Sequence, residues 1–469
     1  MQRQAGQSTR GLANALHYRL ASREKSGETG RRTATGRETL SYFGEFKAHW
    51  HQLLGASLGI AFGAALNHYM TNLFGPALIA EFGWSKADFA LVGVMPLATM
   101  LVIPFQGRFT DRVGVRMAAS VGVVVLPITF IAFSMMSGNI LHFFTIMFLQ
   151  ALVGMLVGTL TYTRVLVEKF DAARGMALSL GMTMAPLAGA VMTPVMGNVI
   201  DEYGWRTGYQ VMALLTGAGG AIALMLIGKT TPASRSGREA ASDGSHALTG
   251  RSAIADLKVL IRQPAFLLLV AGMLFCNFPQ VLVGSQLKLV VMESGAPAAL
   301  ATWIVSLYAT GVIVGRFACG IALDKVAAHK VAIVGLGLPA VGFLALASPY
   351  DAPWILGGAI LLVGLAQGAE GDIGAYLVSR NFDLGLYSFV FAFISCAMFL
   401  ASATGSVVLS RTLAWTDSFD TFLVIAAVLT VLGALAFYLT GWTRTAHPEA
   451  HEPAVAPAGP VQVLVGDEI

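Results

Sequence analysis

Charged residues are scarce in this sequence. They make up 12% of its 469 residues, whereas a soluble domain carries roughly 25%. Hydrophobic residues account for 55%, and the mean hydropathy is +0.68. This composition excludes an ordinary soluble domain and indicates a protein that crosses the bilayer many times.

Cysteine is also rare, with three examples at Cys276, Cys319 and Cys396. All three lie in apolar stretches, and an odd number there argues against a disulfide framework. We interpret them as small packing residues.

Sequence signs of enzyme chemistry are weak. The chain has no His-Glu-x-x-His motif, the pattern of many zinc peptidases. Gly228-Lys229-Thr230 resembles the end of a phosphate-binding loop, but Ala223 stands where the first glycine belongs. We predict no enzymatic activity, no cofactor and no metal, and an ion gradient rather than ATP as the energy source.

Three polar segments divide the chain. Residues 1–48 and 444–469 are predicted to be disordered cytoplasmic tails, although a start codon placed too far upstream would explain the first equally well. Residues 229–263 form a predicted cytoplasmic linker rich in Ser, Gly, Arg and Asp. We predict a six-helix bundle on each side of it, at residues 49–228 and 264–443.

Apolar stretches of about 20 residues, enough to cross a bilayer, recur along both bundles. The twelve predicted spans are His51–Ile79, Lys86–Gln106, Val115–Ser137, Ile140–Lys169, Arg174–Ile200, Thr207–Gly228, Pro264–Val291, Ala298–Ile321, Lys330–Ser348, Ala352–Ser379, Leu384–Ser410 and Phe419–Thr440.

The positions of lysine and arginine predict the orientation. With the N-terminus inside, Lys86, Arg206, Lys288 and Arg411 lie at the outer side and Arg164 lies within a span, which leaves 25 of the 30 in cytoplasmic segments. Cytoplasmic loops carry this excess of positive charge. We predict a multi-pass protein of the cell inner (plasma) membrane with both termini in the cytoplasm.

Three sequence matches relate the two bundles. The pattern Gly-x-x-x-Asp-Arg-Val-Gly at 107–114 recurs as Gly-x-x-x-Asp-Lys-Val-Ala at 320–327, an offset of 213 residues. Phe170-Asp171 recurs as Phe382-Asp383, and Glu81 as Glu293, both with an offset of 212. The matches predict two parallel six-helix repeats, an arrangement known among transporters.

The charged turn at 107–116 resembles the signature of the major facilitator superfamily, Gly-x-Leu-x-Asp-Arg-x-Gly-Arg-Arg/Lys. The matching residues are Gly107, Asp111, Arg112, Gly114 and Arg116, and the departures are Phe109 and Val115. The resemblance covers about residues 45–443. It implies an all-α membrane protein of twelve transmembrane helices in two pseudo-symmetric halves, with helices one, four, seven and ten around a central cavity.

The resemblance also implies a gate at the cytoplasmic ends of the helices. The aspartate of the motif would hold those ends together while the cavity faces outward, with its arginines pairing nearby acids. The predicted gating residues are Gly107, Asp111, Arg112, Gly114, Arg116, Gly320, Asp324 and Lys325.

Shorter motifs resemble one branch of the superfamily, which holds oxalate/formate antiporters and monocarboxylate transporters. They lie at 82–85 (Phe-Gly-Trp-Ser), 204–206 (Gly-Trp-Arg) and 368–372 (Gly-Ala-Glu-Gly-Asp). Arg316 matches an arginine that handles substrate in that branch, but Val312 replaces the acid that the branch carries one turn earlier. Arg316 therefore either contacts substrate or ties the inner loop together.

Ionisable residues within the spans are the main candidates for a substrate site, because charge inside a bilayer is costly. The candidates are Arg164, Lys288, Glu370, Asp372 and His68, with Asn67 and Tyr69 beside it. Arg164 and Lys288 could instead extend towards the membrane surface. His68 could instead be a hydrogen-bonded packing residue. The i, i+2 spacing places Glu370 and Asp372 on different helix faces, and we favour Glu370 for the cavity.

These residues suggest a cation that pairs with a carboxylate substrate and a buried acid that takes up a proton, since burial favours the uncharged form of an acid. We predict a secondary transporter that moves a small organic anion by alternating access, with Arg164 binding the anion and Glu370 coupling the proton. Its expected partners are that anion, H⁺ and the lipid bilayer. We expect a monomer that binds no nucleic acid.

Two other functions stay open. The fifth span carries Gly181-x-x-x-Ala185-Pro186-x-x-Gly189-Ala190, which resembles a Gly/Pro motif of proton-coupled exporters and favours the export of amphipathic drugs or metabolites. The alternative from another class is a membrane sensor that binds a solute without transporting it. The transport direction and the choice between H⁺ and Na⁺ are left undetermined by these residues.

Overall fold

The computed structural model describes residues 42–100, 109–110, 113–171, 173–228, 259–382 and 384–443. Most of the predicted tails and most of the predicted linker lie outside the described residues. Gly107, Asp111 and Arg112 of the predicted gate also lie outside them, as does Asp383 of the repeat.

Helices make up nearly all of the described chain. In the first half they are α1 (Tyr42–Phe62), α2 (Ala64–Phe82), α3 (Lys86–Ala90), α4 (Val115–Ser134), α5 (Ile140–Gly154), α6 (Thr159–Lys169) and α7 (Arg174–Ile227). In the second half they are α8 (Pro264–Asn277), α9 (Leu287–Glu293), α10 (Ala298–Lys325), α11 (Ala328–Leu346), α12 (Pro353–Asn381), α13 (Leu384–Thr416) and α14 (Asp420–Leu439).

Within the described residues, these helices match eleven of the twelve predicted spans and part of the second. In the described chain, ten helical stretches are long and apolar enough to cross a membrane. One of them, the 54-residue helix α7, contains two predicted spans and bends at Gly204, where φ is 83°. The second predicted span begins with α3, continues through the 3-10 turn Leu91–Val94, and is described as far as residue 100.

Two spans of the first half are interrupted where they cross. The first span breaks at Gly63, between α1 and α2, and the fourth breaks at the 3-10 turn Met155–Val157, between α5 and α6. A Cβ atom at position 63 would press on the main-chain oxygens of Val157 and Gly59. Glycine at 63 therefore permits the close approach of the two interruptions.

Two acids, Glu45 near the start of α1 and Glu81 near the end of α2, hold α7 at its start and at its bend. The carboxylate of Glu45 accepts hydrogen bonds from the main-chain nitrogens of Asp171, at 3.1 Å, and Ala173, at 2.9 Å. Such a position suits an acid, because the start of a helix carries partial positive charge. At the bend, Glu81 accepts hydrogen bonds from the side chains of Trp205 and Arg206, each at 2.5 Å.

Hydrogen bonds and an ion pair connect the two halves at the end of the bundle where α2 ends and α3 begins, which we call the joined end. Lys86 of α3 lies 2.5 Å from the Glu293 carboxylate of α9. The Ser406 hydroxyl of α13 donates to the main-chain oxygen of Ala90, at 2.6 Å. A shared hydrophobic core, with Phe74 and Phe89 from the first half among its members, also spans this end.

Asn72 makes a further connection at the joined end. Its Nδ2 donates to the main-chain oxygen of Val283, at 2.7 Å, and its Oδ1 accepts from the main-chain nitrogen of Leu287, at 2.8 Å. In an ordinary α-helix these two main-chain groups would bond to each other. The side chain of the first half is thus inserted into the helix of the second, at the π-helical turn Leu282–Gln286.

Candidate functional site

A cavity of about 430 Å³ lies between the two halves. Its polar lining comprises Asn67, His68, Thr71, Thr99 and Gln150 from the first half, and Asn277, Gln280, Ser285, Gln367 and Ser402 from the second. Its largest apolar side chains are Met95, Met147, Met155, Met398 and Phe399. The described residues that line it include no Lys, Arg, Asp or Glu, so amides and hydroxyls supply its polarity.

In the first half, a chain of neutral side chains forms the cavity wall. Asn67 Nδ2 of α2 donates to Gln150 Oε1 of α5, at 2.9 Å, and Gln150 Nε2 donates to the Thr129 hydroxyl, at 3.1 Å. The Thr129 hydroxyl donates in turn to the main-chain oxygen of Leu126, at 2.7 Å. This series of hydrogen bonds fixes the carboxamides of Asn67 and Gln150 in one orientation.

In the second half, an acid lies behind the wall. Glu370 of α12 is 5% exposed. Its Oε1 accepts a short hydrogen bond from Asn277 Nδ2 of α8, and its Oε2 accepts one from Gln367 Nε2, at 3.0 Å. Both donors line the cavity, whereas Glu370 lines a smaller pocket of about 30 Å³ inside the second half.

Asp372 and Arg316 form a separate pair between α12 and α10. The Asp372 carboxylate lies 3.9 Å from Arg316 Nε. That nitrogen is buried and has no hydrogen-bond acceptor among the described residues. Arg316 also lies near enough to Tyr69 of the first half for its charge to act on it.

Three rings meet between α2 and α10. His68 and Tyr69 of α2 have ring centres 5.4 Å apart, and Tyr69 lies 6.0 Å from Tyr308 of α10. His68 lines the cavity, and its ring is 6.5 Å from that of Tyr308. The cluster connects the cavity to α10, the helix that carries Arg316.

The other two predicted cations, like Arg316, are not lining residues of the cavity. Arg164, on α6, is partly buried, takes part in other interactions and is not a lining residue of the cavity. Lys288, on α9, is 2% exposed, so its side chain is enclosed by protein, and its Nζ lies 3.9 Å from Asp201 of α7. Lys288 therefore adds a second ion pair between the halves at the joined end.

The predicted gating residues that are described lie at helix ends. Gly114, with φ of 84°, precedes α4, and Arg116 is exposed in its first turn. Gly320, Asp324 and Lys325 are exposed in the last turns of α10, which ends at Lys325. Gly114 thus precedes the third span as its counterpart Ala327 precedes the ninth.

Sequence reasoning missed the amides around the cavity. Gln150, Asn277, Gln280 and Gln367 lie within predicted spans, where a polar side chain needs a partner. That signal was present in the sequence. It identified neither the partners nor the cavity, because both depend on the packing of distant spans.

Two helical halves that cross the membrane and enclose a polar cavity define a membrane transporter. The chain belongs to the Major Facilitator Superfamily, whose family model matches residues 58–287 and 280–467. Membership confirms the predicted fold and indicates a transporter rather than an enzyme. A comparison with curated proteins finds no significant sequence match.

Solved structures show the same fold. The crystal structure of a mutant of the peptide transporter POT superimposes with a TM-score of 0.65 at 15% identity, covering 84% of this chain and 94% of that chain. The D-xylose-proton symporter gives a TM-score of 0.64 at 17% identity, covering 85% and 98%. At these identities the likeness concerns the fold.

Proposed function

We propose that this protein is a proton-coupled secondary transporter of a small organic anion, with a carboxylate as the substrate class. The observation that carries the proposal is the buried Glu370, which is hydrogen-bonded to two amides of the cavity wall. A buried acid beside a solute cavity is a site at which a proton and a substrate influence each other. The D-xylose-proton symporter supports the idea of proton coupling on this fold.

Arg316 is the side chain we propose for contact with the anion, ahead of Arg164 and Lys288. Its buried Nε has no hydrogen-bond acceptor among the described residues, and a carboxylate substrate would supply one. The main chain of Arg316 packs against Gly368, next to Gln367 of the cavity wall. Asp372 balances the charge of Arg316 when no substrate is bound.

We further propose that the protein acts in the cell inner membrane as a monomer, with both termini in the cytoplasm. The excess of Lys and Arg in one set of loops supports this orientation. The joined end then faces the outside, and the predicted gating residues, including Asp324, face the cytoplasm.

The test is uptake by purified protein in liposomes under an imposed pH gradient. We expect one of acetate, lactate, oxalate, succinate or benzoate to accumulate, and Arg316→Gln to raise its KM by about tenfold or more, the value of a lost charged hydrogen bond. Arg411→Gln, which alters an exposed arginine at the joined end, is the matched control and should leave KM unchanged. Uptake that ignores the pH gradient would refute proton coupling.

A second candidate function is the export of amphipathic compounds. It is favoured by the four methionines and Phe399 of the cavity lining, because methionine-rich surfaces adapt to varied apolar groups. The same liposomes distinguish the two functions. Proton-driven movement of ethidium, with none of any carboxylate in the panel, would favour export.

A further inference from the structure

Carboxamide side chains separate Glu370 from the central cavity. Gln280 and Gln367 line both the central cavity and the small pocket that contains Glu370, and Asn277 lines the central cavity. A solute in the central cavity therefore meets these amides before it meets the acid. The hydrogen-bonding influence of the acid on the solute, as distinct from the direct effect of its charge, passes through them.

Glu370 orients two of the amides. The NH₂ group of Asn277 donates to Glu370 Oε1 and to the main-chain oxygen of Met273, at 2.9 Å, and the NH₂ group of Gln367 donates to Glu370 Oε2. Each amide oxygen lies on the other side of its carboxamide, and no described residue donates to it. The wall in front of Glu370 thus offers hydrogen-bond acceptors to the cavity.

The protonation state of Glu370 decides which way the amides can face. An ionised carboxylate only accepts hydrogen bonds, so both amides must present NH₂ groups to it. A protonated carboxyl has an O–H donor, and an amide rotated by half a turn can accept from it. The rotated amide then presents its NH₂ group to the cavity.

We propose that one of the two amides, Asn277 or Gln367, transmits the protonation of Glu370 to the substrate by rotating its carboxamide, which adds a hydrogen-bond donor to an accepting cavity wall. Only one amide rotates, because the protonated acid has a single O–H to donate. The inference rests on the proposed function. A carboxylate substrate accepts hydrogen bonds and is disfavoured by an accepting wall, so it binds with the protonated acid. Linkage requires the reverse as well, since the bound anion favours protonation of Glu370.

Few other titratable groups face this site. Cys276 of α8 and Tyr308 of α10 are close enough to interact with the Glu370 charge. Asp372, two residues along α12, is paired with Arg316 of α10. From α11 and α13, residues 331–346 and 390–410 carry no Asp, Glu, Lys, Arg or His. Glu370 is therefore the acid in position to control the two amides.

The test measures KM for the carboxylate that the panel identifies, between about pH 5.5 and about pH 8.5. In the unchanged protein we expect KM to rise by at least about fivefold with pH, the lower end of typical coupling between sites. In a variant that combines Gln367→Met with Asn277→Leu, we expect less than about a twofold change, because no amide is left to rotate in front of the acid. Glu370→Gln should abolish the dependence.

Gln280→Met is the matched control. Gln280 lines both cavities without a hydrogen bond to Glu370, so this variant should keep the pH dependence of KM even if KM itself changes. If Gln280→Met lost the pH dependence to the same degree, the relay would be overturned. The effect would then not require a hydrogen bond between the amide and Glu370.

The outcomes separate the relay from the proposed function. If Glu370→Gln keeps the pH dependence, Glu370 is not the coupling acid and the proposed function fails. If Glu370→Gln loses it while the combined Gln367→Met and Asn277→Leu variant keeps it, only the relay is wrong.

A second measurement covers the case in which these variants do not fold. Infrared difference spectra of the unchanged protein, taken across the same pH range with isotope-labelled Gln and Asn, should show an amide carbonyl change on protonation. Glu370→Gln should lack that change. A spectrum of the unchanged protein without an amide response would refute the relay.

Discussion

The fourth span of the first half and the tenth span of the second occupy the same place in the repeat but differ in form. The fourth is interrupted by a 3-10 turn, and Gly158 precedes α6. The tenth is the continuous helix α12. The offset of 212 residues that relates the halves places Gly158 opposite Glu370. One half therefore has a break at the point where the other has its buried acid.

Both halves connect these spans to their neighbours by an amide. Asn67 reaches Gln150 in the first half, and Asn277 reaches Glu370 in the second. The first pair is neutral in every state, whereas the second changes charge when a proton binds. The comparison shows that one scaffold can combine a cavity wall of constant charge, in the first half, with a wall that contains an ionisable acid, in the second.

The largest expected effect comes from removing the charge that distinguishes the halves. One pH unit stores about 1.4 kcal/mol per proton, enough for about tenfold accumulation of a co-transported anion. Glu370→Gln should abolish that accumulation while leaving exchange of labelled for unlabelled substrate, which needs no net proton movement. Liposome uptake and exchange assays measure both.

The neutral partner in the first half provides the contrast. Gln150→Met removes the acceptor for Asn67 and should weaken substrate binding by about threefold to tenfold at every pH, in keeping with the loss of one hydrogen bond. Accumulation driven by the pH gradient should persist. Loss of coupling in Gln150→Met would remove the distinction between the two walls.

The interruption of the first span should matter more for stability than its counterpart in the second half. Gly63→Ala places a Cβ atom against two main-chain oxygens and should lower the free energy of unfolding by about 1–3 kcal/mol. At Gly284, in the π-helical turn, the nearest atom to a Cβ belongs to His68 at 4.0 Å, so Gly284→Ala should change stability by less than about 0.5 kcal/mol. Thermal unfolding in detergent tests this difference, and equal shifts would contradict it.

The smallest effect concerns the matched acids Glu81 and Glu293. Glu81 bonds within its own half, whereas Glu293 accepts from the Phe419 main-chain nitrogen in its own half and from Lys86 across the halves. Glu293→Gln should lower the free energy that keeps the joined end closed by about 0.2–1 kcal/mol, the value of other exposed ion pairs. Glu81→Gln should not loosen it.

The readout is maleimide labelling of a cysteine introduced by Ser285→Cys into a version that lacks the three native cysteines. Ser285 is 1% exposed and lines the cavity. With Glu293→Gln, labelling should be up to about fivefold faster. An equal acceleration with Glu81→Gln would show that the match between the acids extends to their roles.

The sequence was sufficient to predict the fold, because bilayer length, loop charge and the repeat all depend on local composition. Family membership confirms that prediction. The sequence did not show which way individual side chains face. Helix geometry separated Glu370 from Asp372, but that Glu370 meets Asn277 while Asp372 meets Arg316 depends on which helices are neighbours. The match of Glu81 to Glu293 likewise revealed equivalent positions and not that one of them reaches across the halves.

The insertion of Asn72 into the second half has a consequence for how the joined end responds to ionic strength. When the halves separate there, Asn72 gives up its bonds to the Val283 oxygen and the Leu287 nitrogen, each of which contributes about 0.5–1.5 kcal/mol. Dissolved salt screens exposed ion pairs such as Lys86–Glu293 but does not weaken the buried hydrogen bonds of the Asn72 side chain. The joined end should therefore hold in concentrated salt, when its surface charges no longer contribute.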